Sequence, residues 1–286
     1  MDFQWYPGHM AKAKRQMQED LKLIDLIVEL VDARIPNASR NPDIDSLANN
    51  KSRLILLNKA DLADPATNRL WTDYYKSLGY ETVCLDSRKK NAMKQVLASV
   101  MESCRAKIER DKKRGIKNRP IRAMVVGIPN VGKSTFINTF AGRAVAKTGN
   151  RPGVTKGKQW IRLNKNVELL DTPGILWPKF EDRTVGLHLA LIGSMNDQIL
   201  SVTDLALELI TALNDLYPDA IGGYYPIPSC DTPVTTLEEI AKCRNCIKKG
   251  AEIDYEKAAA LLLDDFRSGK LGQISLETPQ ELSSDE

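Results

Sequence analysis

Short apolar runs that end in polar clusters recur along the first part of the chain and predict β-strands. These runs cover residues 25–31, 54–57, 82–85, 124–126 and 167–170, and residues 158–163 are expected to pair with 167–170 as a hairpin. Apolar residues at helical spacing predict helices over 65–78 and 133–140. Alternating strands and helices indicate an α/β domain with a central, mostly parallel sheet covered by helices on both faces.

The pattern changes after Trp177-Pro178. Helical periodicity predicts helices over residues 184–192, 203–217, 237–242 and 255–267, which are joined by a Gly- and Pro-rich segment over 222–233. We therefore predict two domains, an α/β domain over 1–177 and a smaller, mainly α-helical domain over 178–286. Residues 275–286 are polar and acidic, and we expect them to form a disordered tail.

The stretch GIPNVGKST at 127–135 follows one predicted strand and opens a predicted helix. Its spacing of Gly127, four residues, then Gly132-Lys133-Ser134 is the phosphate-binding P-loop pattern. Glycines let successive backbone N–H groups point at phosphate oxygens, and the helix N-terminus adds its positive dipole end. Lys133 is expected to reach the β- and γ-phosphates and Ser134 to bind Mg²⁺.

Two further strand-end stretches point to guanine nucleotides. Asp171-Thr172-Pro173-Gly174 places a carboxylate near the Mg²⁺ and a Gly174 N–H near the γ-phosphate. In Asn58-Lys59-Ala60-Asp61, the Asp61 carboxylate can accept two N–H bonds from guanine, and adenine lacks that donor pair. The three loops together predict GTP as the ligand.

The motifs occur in an unusual order, because N-K-x-D precedes the P-loop by about seventy residues. The chain therefore resembles the circularly permuted GTPases, and within them the YlqF-type ribosome biogenesis GTPase A family of bacteria. Further support comes from the segments PGHM at 7–10, DARIP at 32–36 and RPGVT at 151–155. The likeness covers the GTPase portion closely and the C-terminal portion by position more than by motif.

The resemblance implies a GTPase that assembles the large 50S ribosomal subunit. The GTP-bound protein would join a late precursor particle through rRNA and ribosomal proteins, and hydrolysis would release it. A low intrinsic rate that the ribosomal subunit stimulates is expected. Two alternatives stay open: a GTPase switch that acts on a protein effector without RNA, and a GTP sensor with negligible hydrolysis.

The resemblance also nominates individual residues. The loop with Asp86 and Ser87 would support the guanine ring through a backbone N–H, Thr155 would bind Mg²⁺ and the γ-phosphate, and Asn130 would help to hold K⁺. The nominated GTP-binding residues are Asn58, Lys59, Ala60, Asp61, Asp86, Ser87, Asn130, Val131, Gly132, Lys133, Ser134, Thr135 and Gly174, and the Mg²⁺ ligands are Ser134, Thr155 and Asp171.

The residue that orients the attacking water is the least determined part of the site. Ras-like GTPases carry a glutamine after D-x-x-G, but this chain has Ile175, which cannot hold water by a hydrogen bond. Another residue, a bound ion or a partner must act instead. The family resemblance nominates His9, which would join Lys133, Thr155 and Gly174 in catalysis.

Composition changes this picture mainly through the distribution of charge. The formal net charge is only +4, but residues 88–122 contain thirteen basic and three acidic residues. This segment either forms a solvated helix face and linker or contacts rRNA by counterion release. Lys242, Arg244, Lys248 and Lys249 form a second basic group in the C-terminal domain.

Five irregularly spaced cysteines do not form the framework of a disulfide-rich protein, which favours a reducing cytoplasm. Cys243 and Cys246 form a C-x-x-C, but a zinc site needs a second ligand pair and a redox motif needs a βαβ setting. The chain shows no signal peptide and no apolar run long enough to span a membrane. We expect a cytoplasmic monomer without membrane contact.

Overall fold

The computed structural model describes residues 15, 17–47, 51–116, 119–145, 159–172, 182–195 and 201–280. The chain forms two compact units, of which the first comprises Met1–Glu181 with Glu277–Glu286 and the second comprises Asp182–Leu276. The first unit contains the β-sheet, and the second is mainly helical.

Among the described residues, the sheet has six strands: β1 Leu26–Asp32, β2 Ser52–Asn58, β3 Glu81–Leu85, β4 Ile121–Val126, β5 Gln159–Arg162 and β6 Val167–Asp171. Their order across the sheet is β3-β2-β1-β4-β6-β5. β5 runs antiparallel to β6, and the other pairings are parallel. The predicted α/β fold with a mostly parallel sheet is confirmed.

The central strand β1 shows why the sheet needs cover on both faces. All seven of its residues are buried, and alternate residues point to opposite faces. Ile27 and Val31 point to the same face, where Ile27 belongs to one apolar cluster and Val31 to another that includes Trp71. Leu26, Val28 and Leu30, which point to the opposite face, are also buried. Glu29 lies between Ile27 and Val31 in sequence, is buried, and pairs with Arg53 of β2.

Helices connect the strands of the first unit. They are α1 Pro42–Leu47, α2 Pro65–Ser77, α3 Met93–Ser103, α4 Arg105–Lys113 and α5 Lys133–Ala141. The start of α2 is well defined, because the Asp64 side chain accepts the N–H groups of Ala66 and Thr67 and Pro65 takes an early helical position. Its Trp71 and Tyr75 are buried, so this helix contributes aromatic side chains to the core.

The basic segment 88–122 divides into two structural parts. Helix α3 buries Val96 and Val100, whereas α4 buries none of its residues. The exposed α4 carries three basic residues in its last turn. The segment is therefore partly a packed connection and partly a solvated helix.

The second unit contains α6 Arg183–Leu191, α7 Val202–Leu216, α8 Ala220–Tyr224, α9 Pro233–Cys243 and α10 Tyr255–Arg267. Helix α9 begins four residues before the predicted start. The reason is a capping box in which the side chains and backbone of Thr232 and Thr235 bond reciprocally, with Pro233 in the first turn. The short α8 begins just before the segment that was predicted to be a linker.

The prediction of a disordered tail from residue 275 is wrong for its first residues. Ser275, Leu276 and Glu277 are buried. The Glu277 carboxylate accepts the backbone N–H of Asn37 at 2.8 Å and that of Ala38 at 3.2 Å. The Trp71 indole N–H donates to the Glu277 carbonyl at 3.1 Å. Charge-assisted bonds to backbone N–H groups hold this acidic residue in the first unit, which composition could not show.

We predict that Glu277→Ala lowers the free energy of unfolding by about 2 kcal/mol, because it leaves the buried N–H of Ala38 and the partly buried N–H of Asn37 without their acceptor. Urea denaturation checks this value. Glu109→Ala removes an exposed glutamate of the same unit and serves as the control, with an expected change below about 0.5 kcal/mol. Equal midpoints for both variants would contradict a stabilising role for Glu277.

Candidate functional site

The parallel strands bring the predicted motifs to one edge of the sheet. β4, which leads into the P-loop, lies between β6, which ends at Asp171, and β1. β2, which ends at Asn58, is the next strand beyond β1. The carboxyl ends of parallel strands share an edge, so these loops converge whatever their order in the chain.

The loop after β4 requires unusual backbone conformations at three positions. The φ angles are 153° at Gly127, 59° at Asn130 and 100° at Gly132. A Cβ atom on Gly127 would lie 2.6 Å from the Leu30 carbonyl oxygen, and one on Gly132 would lie 2.4 Å from the Asn58 amide nitrogen. Both glycines are therefore needed for backbone geometry and for close approach. Helix α5 begins directly after them and directs its N-terminal N–H groups into the loop.

Lys133 is the first residue of α5 and is buried. Its ammonium donates to the carbonyl oxygens of Gly127 at 3.0 Å and Ile128 at 3.1 Å, so it spans the loop. Burial lowers the pKa of Lys133 to about 8, and the nearby Asp171 carboxylate opposes this shift. An ammonium held in this position can neutralise phosphate oxygens in the loop.

Asp171 ends β6 and is also buried. Burial raises the pKa of its carboxyl group, and Lys133 acts in the opposite direction. Its Oδ1 atom has no hydrogen-bond partner among the described residues. The neighbouring Thr172 hydroxyl donates to the Val125 carbonyl at 2.7 Å and fixes the end of β6 against β4. A buried carboxylate oxygen without a partner, on the strand next to β4 and in electrostatic contact with Lys133, suits Mg²⁺, which prefers hard oxygen ligands.

Asn58 joins three loops. Its side-chain amide donates to the Val131 carbonyl in the P-loop at 2.6 Å. Its side-chain carbonyl accepts the Ser87 N–H from the loop after β3 at 3.0 Å. One side chain on β2 therefore connects the loop that would hold phosphate with the loop that would hold the base.

Lys59 takes part in a buried charge network at the end of β1. Its backbone has a φ angle of 58°, and its ammonium lies 2.9 Å from Asp32 Oδ2. Asp32 also accepts two bonds from the Arg34 guanidinium, at 2.9 and 2.8 Å. Burial would raise the pKa of Asp32, but Arg34 and Lys59 outweigh it and hold this pKa well below its ordinary value. The network anchors the loop that carries Ala60 and Asp61.

The loop after β3 makes internal contacts that the sequence did not predict. The Ser87 N–H, nominated as the donor to the guanine carbonyl, is used by Asn58. The structure thus shows Ser87 supporting Asn58, and the role of Ser87 at the guanine base stays a prediction. Asp86 accepts two side-chain bonds from Arg88, which also reaches Asp61. No sequence motif marks Arg88, and the DARIP and DTPG segments that contain Asp32 and Thr172 do not show which atoms these two side chains contact.

Several nominated residues lie outside the described residues. These are His9, Thr155 and Gly174, together with Ile175. The structure brings together the nominated residues at the ends of β2, β3, β4 and β6. They include Val131 in the P-loop and Ser134 and Thr135 at the start of α5.

The second basic group is largely neutralised within its own unit. Lys242 pairs with Glu239, Arg244 with Asp265, and Lys248 with Asp254. In the same region Cys243 is exposed and Cys246 is buried. Within the described ranges, no group of three or more His, Cys, Asp or Glu side chains is arranged to hold a metal ion. None of the described helices combines the length and apolar character needed to cross a membrane.

Comparisons with known proteins agree with this geometry. Residues 122–222 match the family model described as 50S ribosome-binding GTPase. The chain is 48% identical to ribosome biogenesis GTPase A of Priestia megaterium, covering 98% of both chains. It is 46% identical to the Bacillus cereus protein of that name, covering 98% of this chain and 95% of the other. The GNP-bound crystal structure of YlqF from T. maritima is 30% identical, with a TM-score of 0.70 over 94% of this chain and 99% of that chain.

We predict that Gly132→Ala weakens GDP binding by about tenfold or more, because the strained backbone and displaced Asn58 amide together disturb the loop by more than 1 kcal/mol. Isothermal titration calorimetry with GDP measures the change, and circular dichroism confirms folding. Gly223→Ala is the control, because a Cβ atom there meets nothing within 4 Å. Unchanged GDP affinity in Gly132→Ala would show that this loop does not bind nucleotide.

Proposed function

The chain belongs to the ribosome biogenesis GTPase A family, and from that premise we propose that it hydrolyses GTP to drive late maturation of the large 50S ribosomal subunit. The observation that carries the proposal is the Asn58 bridge between the P-loop and the loop after β3. It unites the phosphate and base halves of a GTP site although their motifs are permuted in the chain.

In the proposed site, Asp61 reads the guanine base and Lys133 binds the β- and γ-phosphates. Ser134, Thr155 and Asp171 would hold Mg²⁺, which offsets negative charge on the phosphate oxygens when bound. The N–H groups of the P-loop and of Gly174 would stabilise the γ-phosphoryl group as water attacks it. Asn130 would contribute an oxygen ligand to K⁺, since its amide lies in the same loop.

Water must be oriented without the glutamine that Ile175 replaces. We assign this step to His9, placed in the site when the ribosomal particle is bound. A group that completes the site only on the particle would give a low rate for the isolated protein and a stimulated rate for the complex. Hydrolysis would then release the protein from the particle.

Exposed basic residues favour RNA as part of the partner. Some cations of residues 88–122 are used internally, since Lys107 and Arg119 both pair with Asp25 and Asp111. The cations at the end of α4 are exposed and form no ion pair within the described part of the chain. This α4 basic surface consists of Arg110, Lys112, Lys113 and Arg114.

We propose that the α4 basic surface contacts rRNA phosphates, with the helical unit providing further contacts to rRNA and ribosomal proteins. An unpaired surface cation gains most from a polyanion, because it releases counterions without breaking an internal ion pair. We further propose that the protein acts in the cytoplasm as a monomer. RNA is favoured over a protein effector alone because the unpaired charge is concentrated on one exposed helix end.

We predict that GTP turnover in KCl is slow for the protein alone and rises about tenfold or more with purified large subunits, which corresponds to a barrier lowered by at least 1.4 kcal/mol. Phosphate release measures it. NaCl should give a lower rate if Asn130 helps to hold K⁺. His9→Ala should lose the stimulated rate while particle binding, measured by sedimentation, persists.

The same measurement separates the alternatives. Absence of stimulation would favour a GTP sensor, and full stimulation by nuclease-treated particles would favour a protein effector. Equal rates in KCl and NaCl would remove the potassium site, and full stimulated turnover in His9→Ala would remove the role of His9.

We predict that replacing the four residues of the α4 basic surface with glutamine weakens particle binding and reduces the slope of log affinity against log salt by about 3. The control variant changes four other exposed cations to glutamine, namely Lys22, Arg69, Lys76 and Lys165. Sedimentation over a salt series compares the two. If both variants lost the same amount of affinity for the particle, net charge rather than this surface would govern binding.

A further inference from the structure

The Arg88 side chain lies between two carboxylates at the base side of the site. Its Nη2 donates to Asp61 Oδ2 at 2.6 Å and to Asp86 Oδ2 at 3.0 Å, and its Nε donates to Asp86 Oδ1 at 2.8 Å. The Arg88 side chain is 64% exposed, so packing does not force it into this position. Hydrogen bonds to Asp61 and Asp86 therefore hold the guanidinium.

The Arg88 guanidinium and the guanine base carry donors of the same chemical kind, of which Arg88 directs one, Nη2, to Asp61. Guanine presents N1–H and the exocyclic amine as adjacent planar donors on a carbon bonded to three nitrogens. The guanidinium presents adjacent planar N–H donors on a carbon of the same kind. Both groups suit a carboxylate, and the Asp61 oxygen that Arg88 occupies is an oxygen that the base would need.

We infer that Arg88 is an internal competitor of the guanine base. Arg88 occupies Asp61 in the structure and must leave it when GDP or GTP binds. This inference rests on the proposed role of Asp61 in guanine recognition. It assigns Arg88 a function in setting nucleotide affinity and release, separate from the chemistry at the γ-phosphate.

Asp86 explains how the competitor stays close to the site. Two bonds from Arg88 to Asp86 persist when the bond to Asp61 is broken, and the Arg88 N–H also donates to Asp86 Oδ1 at 3.0 Å. The Asp86 side chain is largely buried, and its bond from Arg88 lowers the pKa of this carboxyl group, which stays ionised as an anchor. The displaced guanidinium is thus retained within reach of Asp61.

The strength of the Arg88–Asp61 pair limits the size of the effect. The Asp61 side chain is 26% exposed and the pair is near solvent, so the competition is modest and screened by salt. GDP and GTP share the same base, so both should be affected equally. The consequence is weaker binding and faster release of either nucleotide.

The test measures GDP affinity by calorimetry and release of a fluorescent N-methylanthraniloyl-GDP by stopped flow. We expect Arg88→Gln to bind GDP about threefold to fivefold more tightly and to release it correspondingly more slowly, as loss of an exposed ion pair allows. Lys89→Gln is the matched control, because Lys89 is the adjacent exposed cation and lies 3.5 Å from Asp86 without reaching Asp61 in the structure. The control should keep the wild-type affinity.

Arg88→Lys tests whether the planar guanidinium, whose Nε and Nη2 bind Asp86, is needed or whether a positive charge at this position is sufficient. Lysine keeps the positive charge but lacks the planar pair of donors. The GDP affinity of Arg88→Lys should therefore move towards that of Arg88→Gln. The difference in GDP affinity between wild type and Arg88→Gln should become smaller as the salt concentration is raised. Unchanged or weaker GDP binding in Arg88→Gln would overturn the inference. Weaker binding would indicate that the Arg88 side chain stabilises the bound base, for example by stacking on it.

Failure of this inference can be distinguished from failure of the proposed function. Wild-type protein should prefer GDP to ADP, and Asp61→Asn should lose that preference if Asp61 reads the base. A protein without preference for GDP would contradict the proposed function. A protein with that preference, but with unchanged affinity in Arg88→Gln, would contradict only the role of Arg88.

Discussion

The Asn58 amide is the interaction on which the site depends. It donates to the Val131 carbonyl and accepts the Ser87 N–H, so it fixes loops from three strands with two hydrogen bonds. The short approach is possible because residue 132 is glycine, where any Cβ atom would contact the amide. The bridge also explains how a permuted chain can form the same kind of site. Loops at the carboxyl edge of a parallel sheet are neighbours in the folded protein whatever their order in the sequence. A side chain that bonds to two of them therefore connects them in a permuted chain as well.

The permutation places the helical unit between two parts of the first unit. The first unit extends to Glu181, the helical unit follows, and the first unit resumes at Glu277. Glu277 then bonds to Asn37 and Ala38 in the loop after β1. That loop begins at Asp32, which pairs with Lys59 of the guanine-side motif.

Charge in this protein is divided between internal structure and surface. Asp32, Arg34 and Lys59 form a buried network in which each charge has an opposite partner, as removal of ions from water requires. Lys107 and Arg119 likewise pair with carboxylates, whereas the cations at the end of α4 pair with none in the part of the chain that the structure describes. The formal charge of a segment is thus a poor measure of its capacity to bind RNA, because paired cations must first lose an internal partner.

Local patterns were sufficient to place the strands, the P-loop glycines and helices such as Tyr255–Arg267, because apolar periodicity, turn residues and caps act over a few neighbouring residues. The motifs also indicated guanine nucleotide, since each is a short contiguous stretch. Sequence patterns could not show that Asn58 uses the Ser87 N–H, that Arg88 occupies Asp61, or that Glu277 is buried. Each of these contacts joins groups that are 27 or more positions apart, in the widest case 240. Their energy depends on distance and burial in the folded chain, and neither quantity is encoded in the spacing of residues along it.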